Sequence, residues 1–270
     1  MKVKIVNWLF VMVAALAVAG TIWAAKPVVH TQALPSIPVI EVNISAALGL
    51  KDALTEIQKN YEASHANVKL VFNLGPSGVL QQQVEQGVPA DLFISASIKQ
   101  INDLQNKNLI VPSTRTILVT DKLVLVLPKK SQMAIENFQD LNKVTKFGMG
   151  EPGTVPAGQY TMELLKKIGI WESVKDKAVL TKDVRTIIAY VESENVDAGV
   201  AFSTVAALSD KVKVVAVAPD GSHTPVAFPA VVLANAKHPK EAELFLDYLC
   251  SPQCAAVFKK YGFNFVGLNQ

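Results

Sequence analysis

The sequence predicts an α/β protein of two lobes with a cleft between them. Strand-like and helix-like segments alternate along most of the chain, which is the pattern of parallel βαβ units. Two long extended stretches, near 117–127 and 222–233, bracket a middle section, as when one lobe is inserted into another. The chain has 270 residues, 50% of them hydrophobic, enough for two cores. These observations assign 38–120 and 226–270 to lobe I and 121–225 to lobe II. Ligands of such folds sit between the lobes and at the carboxyl ends of strands.

Val39–Ile44 is a short β-like run. Leu50, Ala53, Leu54, Ile57 and Tyr61 recur at helical spacing, so Leu50–Tyr61 is read as a helix. Val68–Phe72 is a second strand, and the turn Gly75-Pro76-Ser77-Gly78 opens a helix over Val79–Gln86. Asp91–Ser95 is a third strand, followed by a helix over Ile98–Lys107. Ile117–Leu127 is a β-branched run interrupted by Thr120-Asp121-Lys122, long enough to pass from one lobe to the other. In the middle section Phe147–Met149, a run starting at Val179, Ala198–Phe202 and Val212–Val217 are strands. Between them lie helices over Gln159–Ile168, Asp183–Ser193 and Thr204–Leu208, with Asp183 as an N-cap. Val226–Ala234 is strand-like but broken by Pro229, and Lys240–Leu249 and Pro252–Tyr261 are amphipathic helices.

Lys2 and Lys4 precede an almost unbroken apolar run, Ile5–Ala25, with small-residue cleavage patterns at Ala17-Val18-Ala19 and Ala24-Ala25. Residues 1–25 therefore read as a signal peptide or, uncleaved, as a membrane anchor. No Cys stands near the end of the run, so a lipid-anchoring route is not supported. Lys26–Pro38 holds three Pro and few periodic apolar positions, and residues 26–37 read as a linker. Without Lys2 and Lys4, the 26 basic residues become 24 against 23 acidic, and the formal charge falls from +3 to +1. A near-neutral exported domain argues against nucleic-acid binding. Cys250 and Cys254 straddle a helix break, either as a local disulfide or as two free thiols.

The stretch Gly148–Tyr160, GMGEPGTVPAGQY, leads from a strand into a helix and packs four Gly and two Pro into thirteen residues. Pro156 stands where a first helical residue would, and the N–H groups after it point outward beside the positive end of the helix dipole. That describes an anion cradle, and equally an ordinary turn. Ala46-Ala47-Leu48-Gly49 and Gly75-Pro76-Ser77-Gly78 share its design, and Lys182-Asp183-Val184-Arg185 is a fourth helix start. Together they can hold an anion with neutral donors. Arg185 is either a cationic contributor or a surface residue of a first turn. Catalysis has little support: the four His are scattered, and no nucleophile elbow, H-E-x-x-H or C-x-x-C is present.

Five segments carry a resemblance: ISAALGLKDALTEI, GPSGVLQQQVEQGVPADLFISAS, GEPGTVPAGQY, KDVRTIIAYVES and YLCSPQCAAVFKKYGF. From about Ile40 to Phe263 the chain resembles the periplasmic molybdate-binding proteins of ABC-type molybdate importers. The resemblance implies a hinged, two-lobed periplasmic binding fold of the type II kind. It also implies a non-catalytic, monomeric receptor that needs no cofactor, takes molybdate or tungstate, and passes it to an inner-membrane permease. The ligand set it implies is Gly49, Ser77, Ala157, Val184 and Phe202, with no direct ligand to a metal cation. Gly49 falls where the family has a Ser, Phe202 where it has a Tyr, and Val205 where it has an Asp. The first two changes each remove a hydroxyl from the site, and Ser45 or Ser203 stands near enough in sequence to replace one. They also motivate another ligand, a different oxyanion or a small organic anion, while the long apolar leader motivates a membrane-tethered sensor.

Overall fold

The computed structural model describes residues 38–267; the expected leader and linker lie outside them. β1 (Ile40–Ala47) leads through one 3-10 turn, Leu48–Leu50, into α1 (Lys51–Ser64). β2 (Val68–Gly75), α2 (Ser77–Glu85), β3 (Leu92–Ile94), α3 (Ile98–Asn106) and β4 (Thr116–Thr120) follow. β1 pairs in parallel with both β2 and β3. Side chains alternate across this sheet: Leu92 and Ile94 join the core that holds Tyr61 and Phe245, while Phe93 joins Leu80, Ile101 and Leu104 on the other face.

Only Asp121-Lys122 separates β4 from β5 (Leu123–Pro128), which belongs to a second sheet. The long β-branched run is thus two strands in two sheets. The second sheet also takes β6 (Phe147–Gly150), which leads into α4 (Pro156–Lys167) and the short α5 (Trp171–Val174). β7 (Ala178–Thr181), α6 (Val184–Glu192), β8 (Ala198–Phe202), α7 (Ser203–Ala206) and β9 (Val212–Val217) complete it, in the order β7-β6-β8-β5-β9. Asp183 caps α6, its carboxylate accepting from Thr186 N at 2.7 Å. A 3-10 helix over Phe138–Lys143, with a capping box between Asn137 and Asp140, is not in the sequence reading.

The chain then returns to the first sheet. β10 (Ala227–Val232) runs antiparallel between β3 and β4, and its register shifts between Phe228 and Pro229. A proline has no N–H for the ladder, and the shift absorbs that loss. α8 (Pro239–Leu249), α9 (Pro252–Lys260) and β11 (Asn264–Phe265) finish the first lobe, whose sheet order is β11-β4-β10-β3-β1-β2. Cys250 and Cys254 are both free thiols; burial pushes Cys254 up to about 11. The buried Asp91 accepts from Asn43 N at 2.8 Å and from His238 N at 2.9 Å, tying β1 to the start of α8.

Candidate functional site

One small cavity gathers all five site residues taken from the resemblance. Gly49, Ser77, Ala157, Val184 and Phe202 line it, together with Leu48, Pro76, Ala96, Val155 and Asp183. The turns that lead out of β1, β2, β3, β6 and β7 all reach it, so it lies at the carboxyl ends of strands from both sheets. It is small, with an accessible volume of about 20 Å³. Open surface clefts are larger, such as the one of about 550 Å³ beside Arg115 and Asp247, but none of the five site residues lines that one.

The cavity's donors follow from helix geometry. Ser77 is the first residue of α2, Ala157 the second of α4 and Val184 the first of α6. The N–H groups there have no acceptor in their own helix. Among the described residues, none of the three has a backbone or side-chain partner elsewhere. Ser77 adds a hydroxyl. Its Oγ accepts from Ala96 N at 2.9 Å, which leaves the hydroxyl proton free to donate into the cavity. No Lys, Arg or His lines the space, and Asp183, which does, turns its carboxylate to Thr186. The electrostatics are therefore those of three converging dipole ends without a cationic side chain.

Three contacts join the lobes around the cavity. Gly78 N donates to Thr154 O at 2.9 Å. The Tyr160 hydroxyl donates to Ala96 O at 3.2 Å, and burial pushes its pKa up to about 12, so it stays a neutral donor. Arg185 reaches from α6 to Asp52 and to Leu48 O. Arg185 is thus neither a cation in the cavity nor a bare surface residue, as the sequence reading had it. Its partner lies 133 residues away, beyond any local pattern.

The three departures from the family pattern meet at one spot. A Cβ on Gly49 would lie 3.8 Å from Val205 Cγ2, 3.9 Å from Phe202 Cδ2 and 3.9 Å from Phe228 Cε1. Phe202 in turn stacks edge-on against Phe228 of the first lobe, with ring centroids 5.7 Å apart. This side of the cavity is an apolar wall. Ser203 and Ser45 do not restore the missing hydroxyls: neither lines the cavity, and Ser203 Oγ donates to Asp121 at 2.6 Å. Asp121 is half-buried in the crossing between the sheets. Burial raises its pKa, against the hydrogen bonds from Ser203 and Thr204 that lower it.

Contacts of 3.8–3.9 Å are ordinary van der Waals distances, so a Gly49→Ser variant can place its Cβ without displacing the neighbours. It is expected to tighten oxyanion binding about tenfold or more, at about 1.5–3 kcal/mol for a hydrogen bond to a charged group. Titration calorimetry of the variant beside the parent chain checks this.

Among the described residues, no three His, Cys, Asp or Glu converge as a metal site, and no helix is long and apolar enough to cross a membrane. Two α/β lobes closing on a small donor-lined cavity define a ligand-binding receptor. A family profile described as "Bacterial extracellular solute-binding protein" matches residues 42–264, and the chain belongs to that family. YvgL of Bacillus subtilis, whose name describes a substrate-binding lipoprotein of an ABC transporter, is 43% identical over 225 residues, 83% of this chain and 86% of that one. The molybdate-binding protein ModA of Haemophilus influenzae is 38% identical over 229 residues, 83% of this chain and 90% of that one. A Clostridium difficile structure, described as the substrate-binding domain of a molybdenum ABC transporter, is 39% identical. It superposes with a TM-score of 0.67 over 84% of this chain and 99% of that one.

Proposed function

We propose that this chain captures a tetrahedral oxyanion, molybdate or tungstate, outside the cytoplasm and delivers it to an ABC-type permease. The observation that carries this is the convergence of three unpartnered helix N-terminal N–H groups and the Ser77 hydroxyl on one small cavity. The cavity is small, which limits its occupant to a compact ligand. Each helix end contributes roughly 0.3–1 kcal/mol when exposed and up to about 2 kcal/mol when partly buried. Each hydrogen bond to the anion adds about 1.5–3 kcal/mol. The relative named for molybdate and the structure described as part of a molybdenum transporter support the same ligand.

A receptor of this kind is not an enzyme, needs no cofactor and works as a monomer. The apolar N-terminal run is its export signal. N-terminal sequencing of the exported protein separates a cleaved signal from a retained anchor. The test of the ligand is calorimetry with molybdate, tungstate, sulfate and phosphate. Molybdate and tungstate bind tightly and sulfate much more weakly; no heat with either metal oxyanion sinks the reading. Ser77→Ala weakens binding at least tenfold, because it removes a hydroxyl donor and strands the Ala96 N–H.

A second reading is favoured by the apolar side of the cavity, lined by Gly49 and Phe202 and backed by Val205 and Phe228. It keeps the receptor and changes the ligand to an anion with a less polar side. An organic anion that displaces molybdate in a competition panel would select it.

A further inference from the structure

The Arg185 side chain crosses from the second lobe to the first. Its guanidinium pairs with Asp52, in the first turn of α1, and its Nε donates to Leu48 O at 3.4 Å. The two side chains are 29% and 36% exposed, so the pair lies at the rim of the cleft. Leu48 O belongs to the same peptide unit as Gly49 N. A trans peptide is planar, with its C=O and N–H pointing opposite ways. Leu48 O accepts from the Lys51 N–H within its own turn, and Arg185 Nε adds a second donor from the other lobe; both hold the oxygen away from the side on which the N–H of Gly49 points, and Gly49 lines the cavity. With no side chain, Gly49 has that N–H as its one donor. Arg185 itself follows Val184, whose own N–H opens into the same space.

We propose that Arg185 is a positioning residue: it straps the lobes together through Asp52 and Leu48 O and steadies the peptide that carries the Gly49 N–H, so that it governs how long the ligand stays. This rests on the receptor reading above. The planar fork of Arg suits the task, since one edge engages the Asp52 carboxylate while Nε keeps the carbonyl; the Lys ammonium is a point charge. The strap forms only when the lobes meet, so its loss shows in the dissociation rate and not in encounter.

Stopped-flow tryptophan fluorescence on the whole mature chain, with molybdate and tungstate as probes, tests this. Arg185→Ala raises koff about tenfold and leaves kon within about threefold. Arg185→Lys recovers only part of the loss. Asp52→Ala also raises koff, and adding Arg185→Ala to it raises koff by less than the single substitution does. A koff within twofold of the parent chain overturns the proposal. So does a fall in kon with koff unchanged, which is the signature of long-range charge attraction alone. If the parent chain binds neither oxyanion, the receptor reading fails first and the strap is read in the free chain by X-ray scattering. A larger radius of gyration in Arg185→Ala supports the strap, and an unchanged one overturns it.

Discussion

Gly78→Ala is expected to weaken oxyanion binding at least a hundredfold while leaving the free protein as stable as before, or slightly more so. A Cβ at this position would lie 2.7 Å from Thr154 Cα and 2.8 Å from Thr154 O. Those are backbone atoms of the opposite lobe, and no side-chain rotation relieves the clash. The same residue donates its N–H to Thr154 O at 2.9 Å, so the closed arrangement brings two backbones together where one lacks a side chain. With a methyl group there, the lobes stop short. The donors of α2 then no longer reach the anion together with those of α4 and α6. Losing one or two hydrogen bonds to the anion, at about 1.5–3 kcal/mol each, gives two decades or more. Within its own helix the substitution is favourable, because Ala exceeds Gly in helix propensity by about 1 kcal/mol. Calorimetry and thermal melting on the same sample separate the two effects. An affinity within threefold of the parent chain would show that closure does not pass through this contact.

The second large effect is on stability. Gly158→Ala places a Cβ 1.9 Å from Gly150 O and 2.4 Å from Gly150 C, so α4 must move off β6. Overpacking of this kind costs about 1–3 kcal/mol and sometimes more, and two backbone atoms at such distances put this site at the upper end. The melting temperature is expected to fall on the order of 5–10 °C, at roughly 2–4 °C per kcal/mol for a chain of this size. In urea the midpoint falls and the slope stays the same. Unchanged melting would mean that the helix seats differently on its strand.

These two glycines show what local pattern can and cannot tell. The strand–helix alternation was legible because buried strands such as Leu123–Pro128 and amphipathic helices such as Lys51–Ser64 write their period into the sequence. The small-residue turns, Pro156 at the start of α4 and the Asp183 cap were legible for the same reason. The 3-10 helix at Phe138–Lys143 was not, although Asn137 and Asp140 stand at capping-box spacing; six residues are too few to establish a period. The meeting of Gly78 with Thr154 and the pairing of Arg185 with Asp52 are made by the tertiary fold alone. So is the clustering of Gly49, Phe202 and Val205. Comparison with the family marks them as separate departures, and only the folded chain shows that they adjoin.

The route of the chain also bears on how the molecule is made. The second sheet draws all its strands from one unbroken stretch, Leu123–Val217. The first sheet needs β10 and β11 from the far end, and β10 stands between β3 and β4. A chain emerging from its N-terminus therefore holds β1–β4 as an unfinished sheet, with a gap at its middle, until more than a hundred further residues have followed. Loop closure over that distance is slow, while the inserted segment closes over short ones. The later segment is thus the first able to fold, and the lobe that begins the sequence is the last to be completed.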